Sequence, residues 1–278
     1  MLSYQHGYHA GNPADVHKHY VVLAVSAYLN KKPAPVHYFD THGGKGLYQL
    51  DDPQSQKKQE YKEGIEQAMR LQGQLQDDIW KRYFATVGSV NPSTDKLNYY
   101  PGSPVFVAQQ CRKDDRHTVF ELHPAEHEAL AAQQSQQVGR VVYGDGLKGV
   151  VAALPPKTPR LMVLIDPAYE RGEEYTDVAE TVQRILQKCR HAVILVWYPL
   201  IPKDKHLVML EALKSNVSVP IWQSEWHYKE RPENFGMYGS GMLIVNPPWQ
   251  INSQIEQGFE TWTAAGVGKH LGQWLVQE

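Results

Sequence analysis

Seven short runs rich in Val, Ile, Leu or aromatic residues punctuate the chain, each bounded by polar, Gly or Pro positions. Runs of this kind predict strands, here Val36–Asp40, Thr118–Leu122, Val141–Tyr143, Leu161–Asp166, Ala192–Tyr198, Ile221–Trp226 and Met242–Asn246. The earlier ones alternate with helical stretches such as Ala125–Gln137 and Tyr175–Lys188, the signature of βαβ units around a parallel sheet. Between the last two runs lies only ArgProGluAsnPheGlyMetTyrGlySerGly, from Arg231. Without a crossover helix, those two strands should pair antiparallel at an edge.

Ahead of the first strand, Asn12 and Pro13 read as an N-cap followed by proline at the first helical position, opening a helix through about Leu29. From Asp51 to Asn98 the texture turns Gln- and Lys-rich. There Tyr61, Ile65 and Met69, then Leu75, Ile79, Tyr83 and Val87, recur every four residues, which predicts two amphipathic helices. The expected organisation is one α/β domain built from residues 1–50 and 99–278, with residues 51–98 as an inserted helical subdomain.

Composition narrows the picture without choosing a function. Hydrophobic residues make up 42% and charged residues 21% of the 278, ordinary usage for one globular domain. A formal net charge of -2 argues against holding nucleic acid by bulk positive charge, so phosphate contacts would need a local patch. Cys111 and Cys189 are the two cysteines, and they form no CxxC pair. That removes a disulfide framework and a cysteine-ligated zinc. No apolar run reaches the ~20 residues of a membrane helix, so a cytoplasmic, membrane-free, monomeric protein is expected.

The candidate chemistry sits at strand ends. AspThrHisGlyGlyLysGly, Asp40 to Gly46, follows the first strand, and its glycines allow the close backbone approach a nucleoside cofactor needs. Alone it could equally be an ordinary turn. Glu121 in PheGluLeuHisPro ends the next strand and could accept from both ribose hydroxyls. Asp145 and Gly146, in TyrGlyAspGly, close a third strand, where the acid could accept from a cofactor's adenine amine. Each acid taken singly is more often a turn or capping residue; their recurrence at successive strand ends favours a ligand site.

AspProAlaTyr, Asp166 to Tyr169, suits activation of an aromatic amine. The lone pair of an adenine N6 amine is delocalised into the ring. If the Asp166 carboxylate and the Pro167 carbonyl each accept one N–H, the nitrogen is drawn toward tetrahedral geometry and its lone pair turns outward. Tyr169 is expected to stack on the extruded base. A second match, AsnProProTrp at Asn246–Trp249, ends the expected antiparallel strand and should point away from the cofactor edge, so a chain turn is expected there. Tyr4, His6, His9, His17, Lys18 and His19 crowd the N-terminus. Helical positions two apart diverge by about 200°, so His17 and His19 cannot share a metal, and no metal site is expected.

Several blocks in order carry a closer likeness. HisAlaGlyAsn at 9–12, AspThrHis at 40–42, TyrTyrProGlySerPro at 99–104, GluLeuHisPro at 121–124 and TrpTyrPro at 197–199, with MetLeuSerTyr at the start, resemble the RlmJ family of bacterial 23S ribosomal RNA adenine-N6 methyltransferases. The likeness runs essentially end to end. It implies a Rossmann-like seven-stranded class I fold dependent on S-adenosylmethionine, with a small helical insertion. It also implies that His19, His42, Ser103, Glu121, Asp145, Gly146 and Asp166 line the cofactor, and that Tyr4, His6 and Lys18 serve substrate binding and catalysis. The implied partner is 23S ribosomal RNA, protein-free or partly assembled. Ala168 stands where the family has a second proline, a change expected to loosen the loop that aims the Pro167 carbonyl. A DNA adenine methyltransferase, a nucleic-acid-binding factor in external DNA use without turnover, and a protein glutamine methyltransferase are the alternatives.

Overall fold

The computed structural model describes residues 6–92, 96–133 and 139–277. A 3₁₀ turn at His6–Tyr8 precedes α1 (Pro13–Asn30) and β1 (Val36–Asp40). Next come β2 (Leu47–Gln49), α2 (Pro53–Lys58), α3 (Ile65–Leu71), α4 (Asp78–Ser89), β3 (Tyr99–Pro101) and α5 (Ser103–Ala108). The βα series continues through β4 (Arg116–Glu121), α6 (Pro124–Ala131), β5 (Arg140–Tyr143), α7 (Gly146–Ala152), β6 (Arg160–Ile165), α8 (Glu174–Lys188), β7 (Val193–Leu200) and α9 (His206–Asn216). The chain closes with β8 (Ile221–His227), β9 (Gly239–Val245), α10 (Ile251–Ala264) and β10 (Lys269–Val276). The helix expected through Gln137 is seen over Pro124–Ala131, and residues 134–137 of that expectation lie outside the described residues.

One eight-stranded sheet organises the chain, in the order β10-β8-β9-β7-β6-β1-β4-β5. Strands β5, β4, β1, β6 and β7 pair parallel, whereas β9 pairs antiparallel with both β7 and β8. This is a Rossmann-like mixed sheet, carrying one strand more than the seven expected. The extra strand is β10, and it, not the β8–β9 pair, forms the edge. A Cβ at Gly272 would fall 2.6 Å from the Trp222 ring, so a glycine interrupts the apolar alternation that would have marked this strand.

Side chains of β6 alternate between two cores: Leu161, Val163 and Ile165 pack with α7, α8 and α9, while Met162 and Leu164 pack with α1 and α10. Helix α1 begins as its sequence dictates, with Asn12 Oδ1 accepting from Asp15 N at 2.9 Å and Pro13 inside the first turn. Every residue from Pro13 to Ser26 is buried, because the helix is wedged between the sheet, the insertion and α10. Residues 51–92 do form helices, though more than two, and Ile65, Trp80 and Tyr83 join the same core as Tyr20, Phe259 and Trp262. Trp80 Nε1 donates to the Gly258 carbonyl at 2.8 Å, and Tyr20 hydroxyl to Asp77 at 3.1 Å. The inserted segment therefore shares its core with the sheet-bearing part. Among the described residues, no helix is long and apolar enough to cross a membrane.

Candidate active site

The carboxyl ends of β1, β4, β5, β6 and β7 open into one cavity of about 450 Å³, lined among others by Lys18, His19, His42, Glu121, Asp145 and Asp166. Ligands of open α/β sheets dock at this edge, and the volume falls in the range of small-molecule sites, about 300–1,000 Å³.

Helix α1 supplies one wall and diverges as its pitch requires. Lys18 Nζ reaches Asp166 Oδ2 at 2.6 Å and Asp15 Oδ1 at 2.8 Å, and Asp15 Oδ2 accepts from His6 Nε2 at 2.8 Å. Burial alone would strip the proton from Lys18, but the two carboxylates outweigh it and hold the ammonium charged. Burial also opposes the charge on Asp15, yet His6 and Lys18 together carry its carboxyl well below the usual range. Asp166 goes the other way: burial lifts its carboxyl above the usual range and Lys18 only partly restores it. Sequence reading had not singled out Asp15, although its place one turn before Lys18 was the available signal.

The neighbours of Lys18 serve other walls. His17 Nδ1 meets Ser240 Oγ at 3.0 Å and its Nε2 meets Ser224 Oγ at 2.9 Å, so this ring is consumed inside the core. His19 stacks on Phe106 and bonds Tyr100 hydroxyl through Nδ1 at 2.7 Å, leaving Nε2 buried without a partner among the described residues. Burial keeps that imidazole neutral, and an unpartnered buried nitrogen on a cavity wall asks for a ligand.

The β1 loop is set by polar bonds. Thr41 hydroxyl donates to the Leu164 carbonyl and so accepts from His42 Nδ1 at 2.7 Å. Burial drops the His42 imidazole to about 4, and this tautomer leaves Nε2 carrying the lone pair. Asp40, fully buried, accepts from Ser103 hydroxyl at 2.6 Å and from His42 N–H at 3.1 Å, yet burial still raises it to about 6. Glu121 is held by Gly44 N–H on Oε2 at 2.8 Å and by His123 N–H on Oε1 at 2.6 Å. Those bonds fix the plane of the carboxylate and leave each oxygen a lone pair. Asp145 caps α7 by accepting from Lys148 N–H at 3.1 Å; burial opposes its charge, but Lys148 pulls the carboxyl below its usual value. A Cβ on Gly146 would lie 2.0 Å from the Thr41 carbonyl, so that glycine is required by backbone packing.

The AspProAlaTyr loop differs from expectation at its aromatic end. Tyr169 has φ of 51° and is buried. Its ring stacks on Tyr175 with centroids 4.2 Å apart, and its hydroxyl donates to the Trp197 carbonyl at 2.8 Å. One ring face is thus covered and the hydroxyl is anchored, so Tyr169, which lines the cavity, is a partly covered aromatic and not a fully open platform. The anchor at one end and the Lys18–Asp166 bond at the other pin the loop across Ala168, so loss of the second proline does not leave it untethered. Trp197, half-buried, also lines the cavity, with Lys18 Nζ 5.9 Å from its ring. Asn246, by contrast, donates to the Arg190 and Ala192 carbonyls, ahead of β7 and away from the cavity, and Trp249 is exposed; this is the chain turn expected. Tyr4 lies outside the described residues.

Residues 33–277 match the family model described as "Ribosomal RNA large subunit methyltransferase D, RlmJ". The chain belongs to the RlmJ family. It is 34% identical over its whole length to the Haemophilus influenzae ribosomal RNA large subunit methyltransferase J, with 98% of that protein covered. It is 33% identical to the Escherichia coli protein of the same name, both chains covered in full. A crystal structure of a Legionella pneumophila protein superposes with a TM-score of 0.87 at 33% identity, covering 95% of this chain and 98% of that one. The cofactor of RlmJ enzymes is S-adenosylmethionine, and the residues at the cavity fit it: a fixed carboxylate at Glu121 suits ribose hydroxyls, and the orphaned His19 Nε2 suits a polar ligand atom.

Proposed function

We propose that the protein methylates the N6 amine of an adenine in 23S ribosomal RNA. One observation carries the reading: Asp166, at the end of β6, is clamped by Lys18 on the wall of the cavity that Glu121 and Asp145 share. Its rRNA substrate class follows the names of the full-length relatives. The bound cofactor supplies a methyl already activated on sulfonium, so the chain has only to bind, orient and take up a proton.

With Oδ2 committed to Lys18, Asp166 Oδ1 accepts one N–H of the amine and the Pro167 carbonyl the other. The two acceptors localise the nitrogen lone pair and aim it at the methyl. Trp197 offers the extruded base a half-exposed aromatic face, while His6 lines the same cavity and Tyr4, in the family pattern, serves substrate binding. Glu121, Asp145, Gly146, His19, His42 and Ser103 hold the cofactor. When the new C–N bond forms, the surplus proton on nitrogen passes to Asp166. A cavity of this size admits a base only after extrusion, which favours protein-free or partly assembled RNA.

The test is transfer of labelled methyl to deproteinised RNA from cells lacking the gene, followed by nucleoside analysis. N6-methyladenosine is the expected product. No incorporation, beside an active control enzyme, would sink the reading, and incorporation into DNA alone would redirect it.

A further inference from the structure

The loop joining β8 to β9, residues 228–238, carries chemistry that methyl transfer does not use. Phe235 near its tip is 82% exposed. The loop beneath it is held by several bonds. Arg231 donates to the Pro202 carbonyl at 2.8 Å, pairs with Asp204 at 2.6 Å and lies over the Tyr238 ring. Tyr238 N–H donates to the Leu200 carbonyl at 3.0 Å, and Tyr228 and Lys229 N–H both donate to the Tyr238 carbonyl at 3.1 Å. A large apolar ring is thus presented to solvent by a framed loop.

The surroundings of that ring point to one kind of ligand. Lys203 Nζ lies 5.9 Å from its centroid and makes no ion pair among the described residues. Arg231 and Lys229, in contrast, are neutralised by Asp204 and Glu63. Two residues beyond Phe235, Met237 lines the active-site cavity beside Ile201 and Pro199, so the ring's backbone lies within about 7 Å of the cavity wall. An exposed aromatic next to an uncommitted cation is the pairing that holds a single-stranded nucleotide, base on ring and phosphate on ammonium. The loop also carries Glu230 and Glu233, and the protein's net charge is -2. That net charge supplies no bulk attraction for a polyanion, so a strand would be registered by local stacking.

We propose that Phe235 and Lys203 form a subsite for the nucleotide flanking the target adenine. The base stacks on the Phe235 ring and its phosphate pairs with Lys203. The proposal rests on reading the cavity as a nucleic-acid methyltransferase site.

Fluorescence anisotropy with a short single-stranded oligouridylate carrying one central adenine tests it. Phe235→Ala should weaken binding about tenfold, the ~1.4 kcal/mol of one stacked base, and Phe235→Trp should keep wild-type affinity. Lys203→Gln should flatten the log–log salt dependence by about 0.7, the share of one phosphate on a single strand. Calorimetric affinities for S-adenosylmethionine and for adenosine monophosphate should stay unchanged in all three variants. Equal RNA affinity of Phe235→Ala and wild type would overturn the subsite, as would a matching loss of mononucleotide or cofactor affinity, which would mark a collapsed cavity wall. If the wild type binds the strand through Phe235 yet never methylates RNA, the subsite stands and the methyltransferase reading falls. If it methylates while Phe235→Ala binds normally, the reverse holds.

Discussion

Asp166 and Lys18 decide what the cavity can do, because each sets the charge of the other. Asp166 must be ionised to take up the proton that the methylated amine sheds, and its carboxyl sits above the usual range because burial outweighs the help from Lys18. Single-turnover methyl transfer should therefore fall on acidification with a midpoint above the ordinary aspartate value of about 3.9. Lys18→Gln removes the compensating charge and should move that midpoint higher still. Asp166→Ala should lower the transfer rate roughly 10²–10³-fold, the scale of losing one preorganised hydrogen-bonding group, while calorimetry still detects the cofactor. A rate within the wild-type range for Asp166→Ala would remove this residue from the mechanism. Asp40 gives a stability counterpart. Its folded value of about 6 exceeds the ~3.9 of an unfolded chain. Its contribution to folding is therefore fullest below about pH 4 and is lost as pH rises through about 6. Thermal denaturation of Asp40→Asn should show a flatter pH dependence across that window; an unchanged profile would assign the slope elsewhere.

Among elements, α1 carries more of the site than any single strand. Its cap and proline were legible because Asn and Pro at those positions satisfy or forgo the orphan N–H groups of a first turn. Its burial was not legible, since the chain packed against its far side comes from α10 and β9, more than 200 positions away. His17 is the clearest case: it bridges Ser224 and Ser240, and Ser240 also takes the Trp197 indole N–H at 3.0 Å. Burial drives its imidazole well below its usual value, so the ring bonds as a neutral group. His17→Ala takes one bond from each of the Ser224 and Ser240 hydroxyls, which keep His270 and Trp197, and leaves a cavity where the ring was; it should cost roughly 2–3 kcal/mol in urea denaturation. A cost near zero would mean that water replaces the ring. Strand β10 was missed for a related reason: its outer positions are exposed and Gly272 breaks the alternation, so only pairing with β8 defines it.

At the scale of the molecule, the sheet's carboxyl edge gathers residues from five strand ends and α1 into one cavity, while helices α3 and α4 brace α1 from behind. Cofactor binding should therefore stabilise the whole fold. Thermal shift with S-adenosylmethionine at about a hundred times its Kd should correspond to about 2.7 kcal/mol. Glu121→Ala, which also frees the Gly44 and His123 N–H groups, should shrink the shift. An undiminished shift would place the ribose elsewhere.

The local grammar of the sequence determined the βα series, the first helix and its cap, the strand-end acids and the loop at Asp166, because these depend on residue type within a few positions. Tertiary structure alone decided that Tyr169 is an anchor, that Lys18 reaches Asp166, that His17 belongs to the core and that β9 lies between β7 and β8. The reason is physical: a ring or a charge acquires its role from what desolvates it and what it bonds. For these residues that environment is supplied by segments brought together only when the sheet closes over α1.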